Sequence, residues 1–288
     1  MKKLFSILST LSLLGLASAH GQVVINNLGD SYSQDFNSLP TGASAGDNDN
    51  FDWTNDISNG SNNTIPNWYF STSNKNFADS DAGRSIAPTG DTSRIGTDRI
   101  LSLGATGATT DRSIGLRAQG FDLLNAPDGA AFGLRLSNST GAAISSLDVE
   151  FTAEQWFEGA SAGSLDFYYL TTDGTTNYTS LRGEGTAPLG ITTNGTLVNQ
   201  LSYTAPQTSA TDAIIDGTQA ANSSNLSHTI TGLTWANGDD LWLVWNKGDE
   251  NSALAIDDFT VTAIPEPSSL ALLAGALGLG LVMLRRRR

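Results

Sequence analysis

The sequence predicts an all-β fold for residues 20–263, a jelly roll or a related two-sheet β-sandwich, and three observations lead to this prediction. Apolar and polar residues alternate in short runs, clusters of Gly, Asn, Asp or Ser end each run, and helical periodicity is scarce. The segment is long enough for one substantial domain of roughly ten strands. The clearest alternating runs are Phe132, Leu134 and Leu136; Leu147, Val149, Phe151 and Ala153; Leu165, Phe167 and Tyr169; and Leu241, Leu243 and Trp245.

Composition and charge exclude several classes of function. The chain has 288 residues, no cysteine and a formal net charge of −14 at pH 7. Since six of the 15 Lys and Arg residues lie at the two ends, the central segment is more acidic still. Such a surface repels phosphate backbones, so nucleic acid is not expected as a partner. The lack of cysteine excludes disulfides, a cysteine nucleophile and a thiolate zinc site.

The first residues predict a signal for export. A Lys-Lys pair follows the initial methionine, residues 4–16 are mostly apolar, and an Ala-Ser-Ala sequence then ends at Ala19. A charged start, an apolar centre and an A-x-A site are the three regions of a secretory signal peptide. We therefore expect residues 1–19 to be a signal peptide that is cleaved after Ala19, and the mature chain to be exported.

The other end of the chain predicts a membrane anchor. A Pro-Glu-Pro tripeptide precedes an uncharged apolar run over residues 270–284, and four arginines close the sequence. The run lies near the lower limit of roughly 17–25 residues for a transmembrane helix. An arginine cluster stays on the cytoplasmic side, which places everything before the tripeptide outside. The residues that carry this pattern are Pro265, Glu266, Pro267, Arg285, Arg286, Arg287 and Arg288.

These three elements, in this order at the chain end, resemble the PEP-CTERM sorting signal of Gram-negative bacteria. The resemblance covers residues 264–288 and implies an exosortase-type membrane enzyme as the partner that recognises and processes the tripeptide. It further implies anchoring in the inner membrane during sorting, and then a location at the cell surface or in the extracellular matrix. In that family the signal accompanies exopolysaccharide production and biofilm. The alternative is a plain C-terminal anchor, which has the same topology without processing.

One internal segment predicts an irregular strand. Residues 254–261 read LAIDDFTV, in which Ile256 and Phe259 are three positions apart, so strict alternation cannot bury both. A β-bulge at Asp257 and Asp258 solves this and turns one carboxylate inward. An inward carboxylate needs backbone donors, a cation or a proton.

The same segment resembles the closing strand of extracellular jelly rolls, and residues 32–39, reading YSQDFNSL, resemble their opening strand. These two strands share a structural calcium ion in such domains. The resemblance therefore implies Asp35, Asn37, Asp257 and Asp258 as candidate oxygen ligands for structural Ca²⁺. The alternative is that these residues cap turns and bind backbone groups. No other cofactor is indicated.

Three tryptophans are candidates for glycan contact or for the core. Trp156 suits either a platform on which sugar rings stack or an aromatic plug that closes one end of the sandwich. Trp242 and Trp245 lie three apart in one strand, so regular pairing puts them on opposite faces. We expect Trp245 in the core with Leu241 and Leu243. Trp242 then lies on the other face, where it is either covered by loops or exposed to solvent. We expect the exposed position, which makes Trp242 the better glycan candidate.

Enzymatic functions find little support in the sequence. Residues 42–46 and 159–163 match G-x-S-x-G, but a loop or a strand follows where the nucleophile elbow needs a helix. Asp148 and Glu150 suggest a sandwich glucanase, but Ser146 replaces the first glutamate of that pattern. We expect a non-enzymatic protein with a structural or adhesive role in exopolysaccharide or biofilm matrix. The alternative is a carbohydrate-binding module, and a third hypothesis is a polysaccharide-active enzyme.

Overall fold

Strands make up most of the described chain. The computed structural model describes residues 22–39, 65, 67–71, 83–86, 99–105, 110–117, 130–176, 178, 181, 189–248 and 250–265. Within these residues, the helices are α1 (Ile191–Asn194) and a 3-10 helix (Asn199–Leu201). The strands are β1 (Val23–Ile25), β2 (Ser31–Gln34), β3 (Trp68–Ser71), β4 (Gly83–Ile86), β5 (Arg99–Leu103), β6 (Ser113–Arg117), β7 (Ala130–Asn138), β8 (Ile144–Glu158), β9 (Ser164–Thr172), β10 (Thr196–Leu197), β11 (Tyr203–Thr204), β12 (Ala213–Ile214), β13 (Ser223–Trp235), β14 (Asp240–Lys247) and β15 (Ala253–Ala263).

The strands form two sheets, which confirms the predicted all-β class. The seven-stranded sheet has the order β1-β7-β14-β9-β10, with β3 also paired to β7 and β11 to β9. The eight-stranded sheet has the order β12-β8-β15-β6-β5-β4, with β13 also paired to β8 and β2 to β15. The longer strands β7, β8, β9 and β14 coincide with the four alternating runs. The structure has more than the roughly ten strands that we predict, because it also contains short strands of two to four residues.

One apolar core joins the inner sides of the two sheets. The residues of all four predicted runs belong to it, with Tyr169 partly buried at its margin. Trp245 lies at its centre, stacked on Trp68 and Phe132 with ring centroids 5.6 and 5.5 Å apart. The sequence prediction for Trp245 is therefore confirmed, because alternation within β14 directs that side chain inward.

The predicted bulge in β15 is confirmed. Ile256 and Phe259 are both fully buried in the core, and the register of β15 against β8 shifts between Asp257 and Thr260. Asp258 takes up the extra residue with a φ of 49°, in the left-handed region that Asp tolerates better than most residues. Asp257 is the carboxylate that becomes buried, on the side of the sheet away from the main core.

Most of the predicted targeting signals at the two chain ends lie outside the residues that the structure describes. Within the described residues, no helix has the length and apolar character needed to cross a bilayer. The predicted signal peptide over residues 1–19 lies outside the described residues, and so do Glu266, Pro267 and the rest of the predicted sorting signal. The motif at residues 42–46 also lies outside them.

Candidate functional site

The outer side of the seven-stranded sheet is covered by apolar side chains, which corrects one prediction. Trp242 is fully buried, 5.1 Å from Tyr69 between ring centroids, and its Nε1 donates to Thr172 Oγ1 at 3.2 Å. The expected exposed position of Trp242 is therefore wrong, and the alternative is confirmed, because chain segments far away in sequence cover this face of β14. We call this set the apolar outer cluster; its residues are Tyr69, Ala131, Leu181, Leu189, Ile191, Trp242 and Val244.

Trp156 is also buried, on the outer side of the eight-stranded sheet. Only 2% of it is exposed, and its Nε1 donates to Glu154 Oε2 at 2.8 Å. The ring packs so closely on Gly217 that a Cβ at that position would lie 2.4 Å from two ring atoms. Glycine is required there, and the ring has no open face for a sugar. Trp156 is therefore a packing residue, as one of the two interpretations expects, but it packs on the outer side of a sheet and not at one end of the sandwich.

Two buried carboxylates lie beside Trp156. Glu154 is 4% exposed and Asp257 is 6% exposed. Burial raises the pKa of Glu154. Burial, with the neighbouring carboxylates Glu154, Asp258 and Asp111, also raises the pKa of Asp257 to about 8, although the Asp258 N–H donates to Asp257 Oδ1 at 2.8 Å and opposes the rise. Asp257 is therefore mostly protonated at neutral pH, and protonation compensates for the burial of this carboxyl group on the outer side of the sheet.

The other candidate calcium ligands bind backbone groups. The pairing of β2 with β15 places Gln34 opposite Phe259, so the next residue, Asp35, follows at the level of the bulge. Asp35 Oδ1 accepts the N–H of Asn37 at 3.2 Å, and Asn37 Oδ1 accepts the N–H of Arg112 at 3.0 Å. In the part of the chain that the structure describes, no three acidic or histidine side chains are grouped to hold a metal ion. The turn-capping alternative accounts for these contacts and is the one we favour, while calcium stays an untested hypothesis.

The rest of the outer side of the eight-stranded sheet is open and polar. Four neighbouring strands, β2, β15, β8 and β13, present hydroxyl, amide and carboxylate side chains that are wholly or partly exposed. We call this surface the polar face; its residues are Ser31, Ser33, Asp148, Glu150, Thr152, Asn225, Ser227, Thr229, Thr260 and Thr262.

Strand register arranges the polar face in rows. The two complete rows are Ser31, Thr262, Asp148 and Thr229; and Ser33, Thr260, Glu150 and Ser227. Hydroxyl pairs join β2 to β15 in both rows, with oxygen atoms 2.7 and 3.0 Å apart, and the Thr229 hydroxyl donates to the Asp148 carboxylate. With strands about 4.8 Å apart and same-face residues about 6.7 Å apart along each strand, the rows form a regular grid.

Sequence reasoning did not single out the polar face. Its signal is present in the alternation itself, because the polar positions of β2, β13 and β15 are small hydroxyl residues such as Ser31, Thr229 and Thr262. Nothing local shows that these strands are neighbours. The face exists only because β2 pairs with β15 and β13 pairs with β8 across more than 70 residues of sequence.

Comparison with known proteins yields only distant similarities. No family model and no curated protein match the sequence. The CBM22-1 xylan-binding domain of Paenibacillus barcinonensis Xyn10C is 8% identical, covering 84% of this chain and 100% of its own, with a TM-score of 0.34. The K3 adhesin domain of Lys-gingipain from Porphyromonas gingivalis is 11% identical, covering 55% and 79%, with a TM-score of 0.32. TmCBM61 in complex with β-1,4-galactotriose is 10% identical, covering 68% and 88%, with a TM-score of 0.27. At TM-scores of this size, function has to be argued from the residues of this chain.

Proposed function

We propose that this chain is an exported, non-catalytic surface protein whose polar face binds extracellular polysaccharide. The observation that carries the proposal is the four-strand grid of exposed hydroxyls around the carboxylates of Asp148 and Glu150. The proposal unites two of the hypotheses from sequence, a matrix protein and a carbohydrate-binding module, because binding polysaccharide is one way to hold a matrix together. It retains the jelly roll as the proposed topology of the sandwich.

The chemistry of the polar face suits a chain rich in sugar hydroxyls. Ser and Thr hydroxyls donate and accept hydrogen bonds, as sugar hydroxyls do, whereas ionised carboxylates only accept. Bonds to an ionised acceptor are about twice as strong as neutral ones, so Asp148 and Glu150 supply the strongest contacts. A protein partner favours an interface with an apolar centre, which the polar face lacks. Because Trp156 and Trp242 are buried, recognition rests on hydrogen bonds instead of stacking.

The arrangement of carboxylates supports a binding role over catalysis. Asp148 and Glu150 stand side by side on one strand, about 6.7 Å apart on an open surface. Glycoside hydrolysis uses two carboxyl groups that flank the bond from opposite sides. The G-x-S-x-G match at residues 159–163 connects β8 to β9 with no helix after it, so the predicted turn is confirmed and the nucleophile elbow is absent there.

Affinity electrophoresis in gels that contain neutral or acidic polysaccharides tests the binding proposal. We expect at least one neutral polysaccharide to retard the protein, and Glu150→Gln to remove most of the retardation. Glu158→Gln is the matched control, because Glu158 lies on the same strand beyond the polar face and is partly exposed. Unchanged mobility with every polysaccharide contradicts the proposal, and so does equal retardation of both variants.

The route to the surface rests on the PEP-CTERM resemblance and has its own test. We expect surface-localised copies to have lost the residues that follow the Pro-Glu-Pro tripeptide, because an exosortase-type enzyme processes that motif. Mass spectrometry of the surface fraction measures this directly. If most surface copies still carry Arg285, Arg286, Arg287 and Arg288, the tail is a plain anchor.

A further inference from the structure

Within the described part of the chain, one edge of the long strand β13 has no partner strand. Its partner β8 lies along one side over the register from Ser223 to Thr231, and no described strand pairs with the other side. Within the described residues, positions 224–231 make no backbone hydrogen bond other than those to β8. Every second residue of an antiparallel strand turns its N–H and C=O away from its partner. The edge therefore presents unpaired donors and acceptors along about eight residues.

The sequence of the edge lacks the residues that usually protect a strand against pairing, although the 3-10 helix Asn199–Leu201 lies close to β13. Natural edge strands are blocked by lysine, proline, inward charges or very short length. β13 has 13 residues and reads SSNLSHTITGLTW, without proline or any Asp, Glu, Lys or Arg. Its outward side chains Asn225, Ser227, Thr229 and Thr231 are exposed. Gly232, with a φ of 74°, and the register shift after Thr231 end the regular part of the edge.

The charge pattern identifies the partner that fits this edge. Of the described strands with eight or more residues, β13 is the one without a formal charge; the others contain Arg135, Asp166, Asp240 or several acids. In a chain of net charge −14, two copies can meet at this uncharged edge without bringing acidic side chains of the strand against each other. β13 against β13 places uncharged hydroxyl and amide groups opposite each other, and such cross-strand pairs are stabilising.

We propose that residues 223–231 of β13 pair antiparallel with the same residues of a second copy, so that two eight-stranded sheets become one continuous sheet. The contact is isologous, because each copy supplies the same edge about a two-fold axis. It extends the polar face across both copies, since the outward residues of β13 belong to that face. The contact is small, so association is weak and reversible. Repulsion between the acidic domains also makes it stronger as salt concentration rises.

Single cysteines provide the first test, because the chain has none of its own. Cysteine is introduced at position 225, 227, 229 or 231 of the full chain, and a short thiol-to-thiol cross-linker traps dimers. We expect the yield to be highest at one position and to fall on both sides of it, as antiparallel pairing about a two-fold axis requires. The control is Ser33→Cys, an exposed position at the far side of the same face. Yields on β13 that do not exceed the Ser33→Cys yield overturn the proposal.

Sedimentation velocity over a concentration series provides the second test. We expect the unmodified chain to associate, more strongly in 0.5 M than in 0.05 M salt, and the double variant Ser227→Lys with Thr229→Lys to stay monomeric. The matched control, Ser31→Lys with Ser33→Lys, makes the same change of charge on β2 and should associate like the unmodified chain. A monomer at every concentration, or equal association of both variants, overturns the proposal. Circular dichroism confirms that each variant is folded, and no polysaccharide is present, so the result is independent of glycan binding.

Discussion

The outer sides of the two sheets differ in how much of their surface is covered and in how their buried acids are stabilised. On the seven-stranded sheet, the apolar outer cluster covers Trp242, and the one buried acid beside it, Asp240, is paired with Arg135 through an Nε to Oδ2 contact of 2.9 Å. On the eight-stranded sheet, the buried acids Glu154 and Asp257 have raised pKa values, to which nearby carboxylates contribute. The strands beyond them stay open to solvent as the polar face. The difference agrees with our proposal, in which the first side serves stability and the second serves contact with other molecules.

The Arg135–Asp240 pair shows how charged groups are buried on the outer side of the seven-stranded sheet. Burial raises the pKa of Asp240, and the positive charge of Arg135 opposes that effect. Arg135 Cζ also lies 5.5 Å from the centroid of the Trp242 ring, so the guanidinium contacts both the carboxylate and the apolar cover. Asp257 has only the Asp258 backbone N–H as a described hydrogen-bond donor, and it is mostly protonated instead.

The largest loss of stability is expected in the apolar outer cluster of the seven-stranded sheet. Trp242→Ala removes a fully buried ring, and we expect the free energy of unfolding to fall by about 3–5 kcal/mol. Urea denaturation measures it. Leu197→Ala is the control, because Leu197 is 41% exposed and its truncation should cost little. A loss below about 1 kcal/mol for Trp242→Ala means that the outer side of the seven-stranded sheet is open.

The second-largest loss of stability is expected when the buried Arg135–Asp240 ion pair is broken. Arg135→Met leaves the Asp240 carboxylate without its partner, and we expect the free energy of unfolding to fall by about 3 kcal/mol. The double variant Arg135→Met with Asp240→Asn should recover much of this loss, since it removes the uncompensated charge. Urea denaturation of both single variants and the double variant gives the coupling between the two residues. Additive losses contradict a direct pairing.

A pH-dependent effect, smaller within any one pH unit, is expected at the buried acids. The pKa of Asp257 is about 8 in the folded chain and about 3.9 in an unfolded one. Between these values the folded state holds one more proton, so stability falls as pH rises, by at most about 1.4 kcal/mol per pH unit. Denaturation at pH 5, 6, 7 and 8 measures the slope, and Asp257→Asn should reduce it. The control Asp148→Asn, at an exposed acid that is not among the groups raising the pKa of Asp257, should keep the slope of the unmodified chain; equal slopes for all three refute the assignment.

The smallest effect is expected from metal removal. The side-chain oxygens of Asp35, Asn37 and Asp257 already accept backbone N–H groups, so we expect a chelator to leave the melting temperature unchanged. An ion bound only by the folded state raises that temperature by mass action. A lower melting temperature with chelator at matched ionic strength would restore calcium as a structural ligand. Melting curves with added Ca²⁺ serve as the complementary measurement.

Local sequence was sufficient for the inner half of the fold. Alternation in β7, β8, β9 and β14 identified which side chains enter the core, because the side-chain period of a strand is two wherever pairing is regular. The spacing of Ile256 and Phe259 located the bulge for the same reason. Alternation could not predict whether the outward side chains of each strand are buried or exposed, as the burial of Trp242 shows.

By itself, the sequence determined the all-β class, the inward side chains, the bulge at Asp257 and Asp258, and the acidic charge that disfavours nucleic acid. Each of these follows from composition or from the geometry of a single strand. Only the tertiary structure decided which outward side chains are buried, which carboxylates lie close together, and which hydroxyls share a face. Those properties depend on contacts between residues far apart in sequence: Ile191 lies against the strand of Trp242, and Thr229 lies beside Asp148. The residue pattern of a strand describes one chain segment, whereas burial of its outward side or formation of a binding face requires several segments.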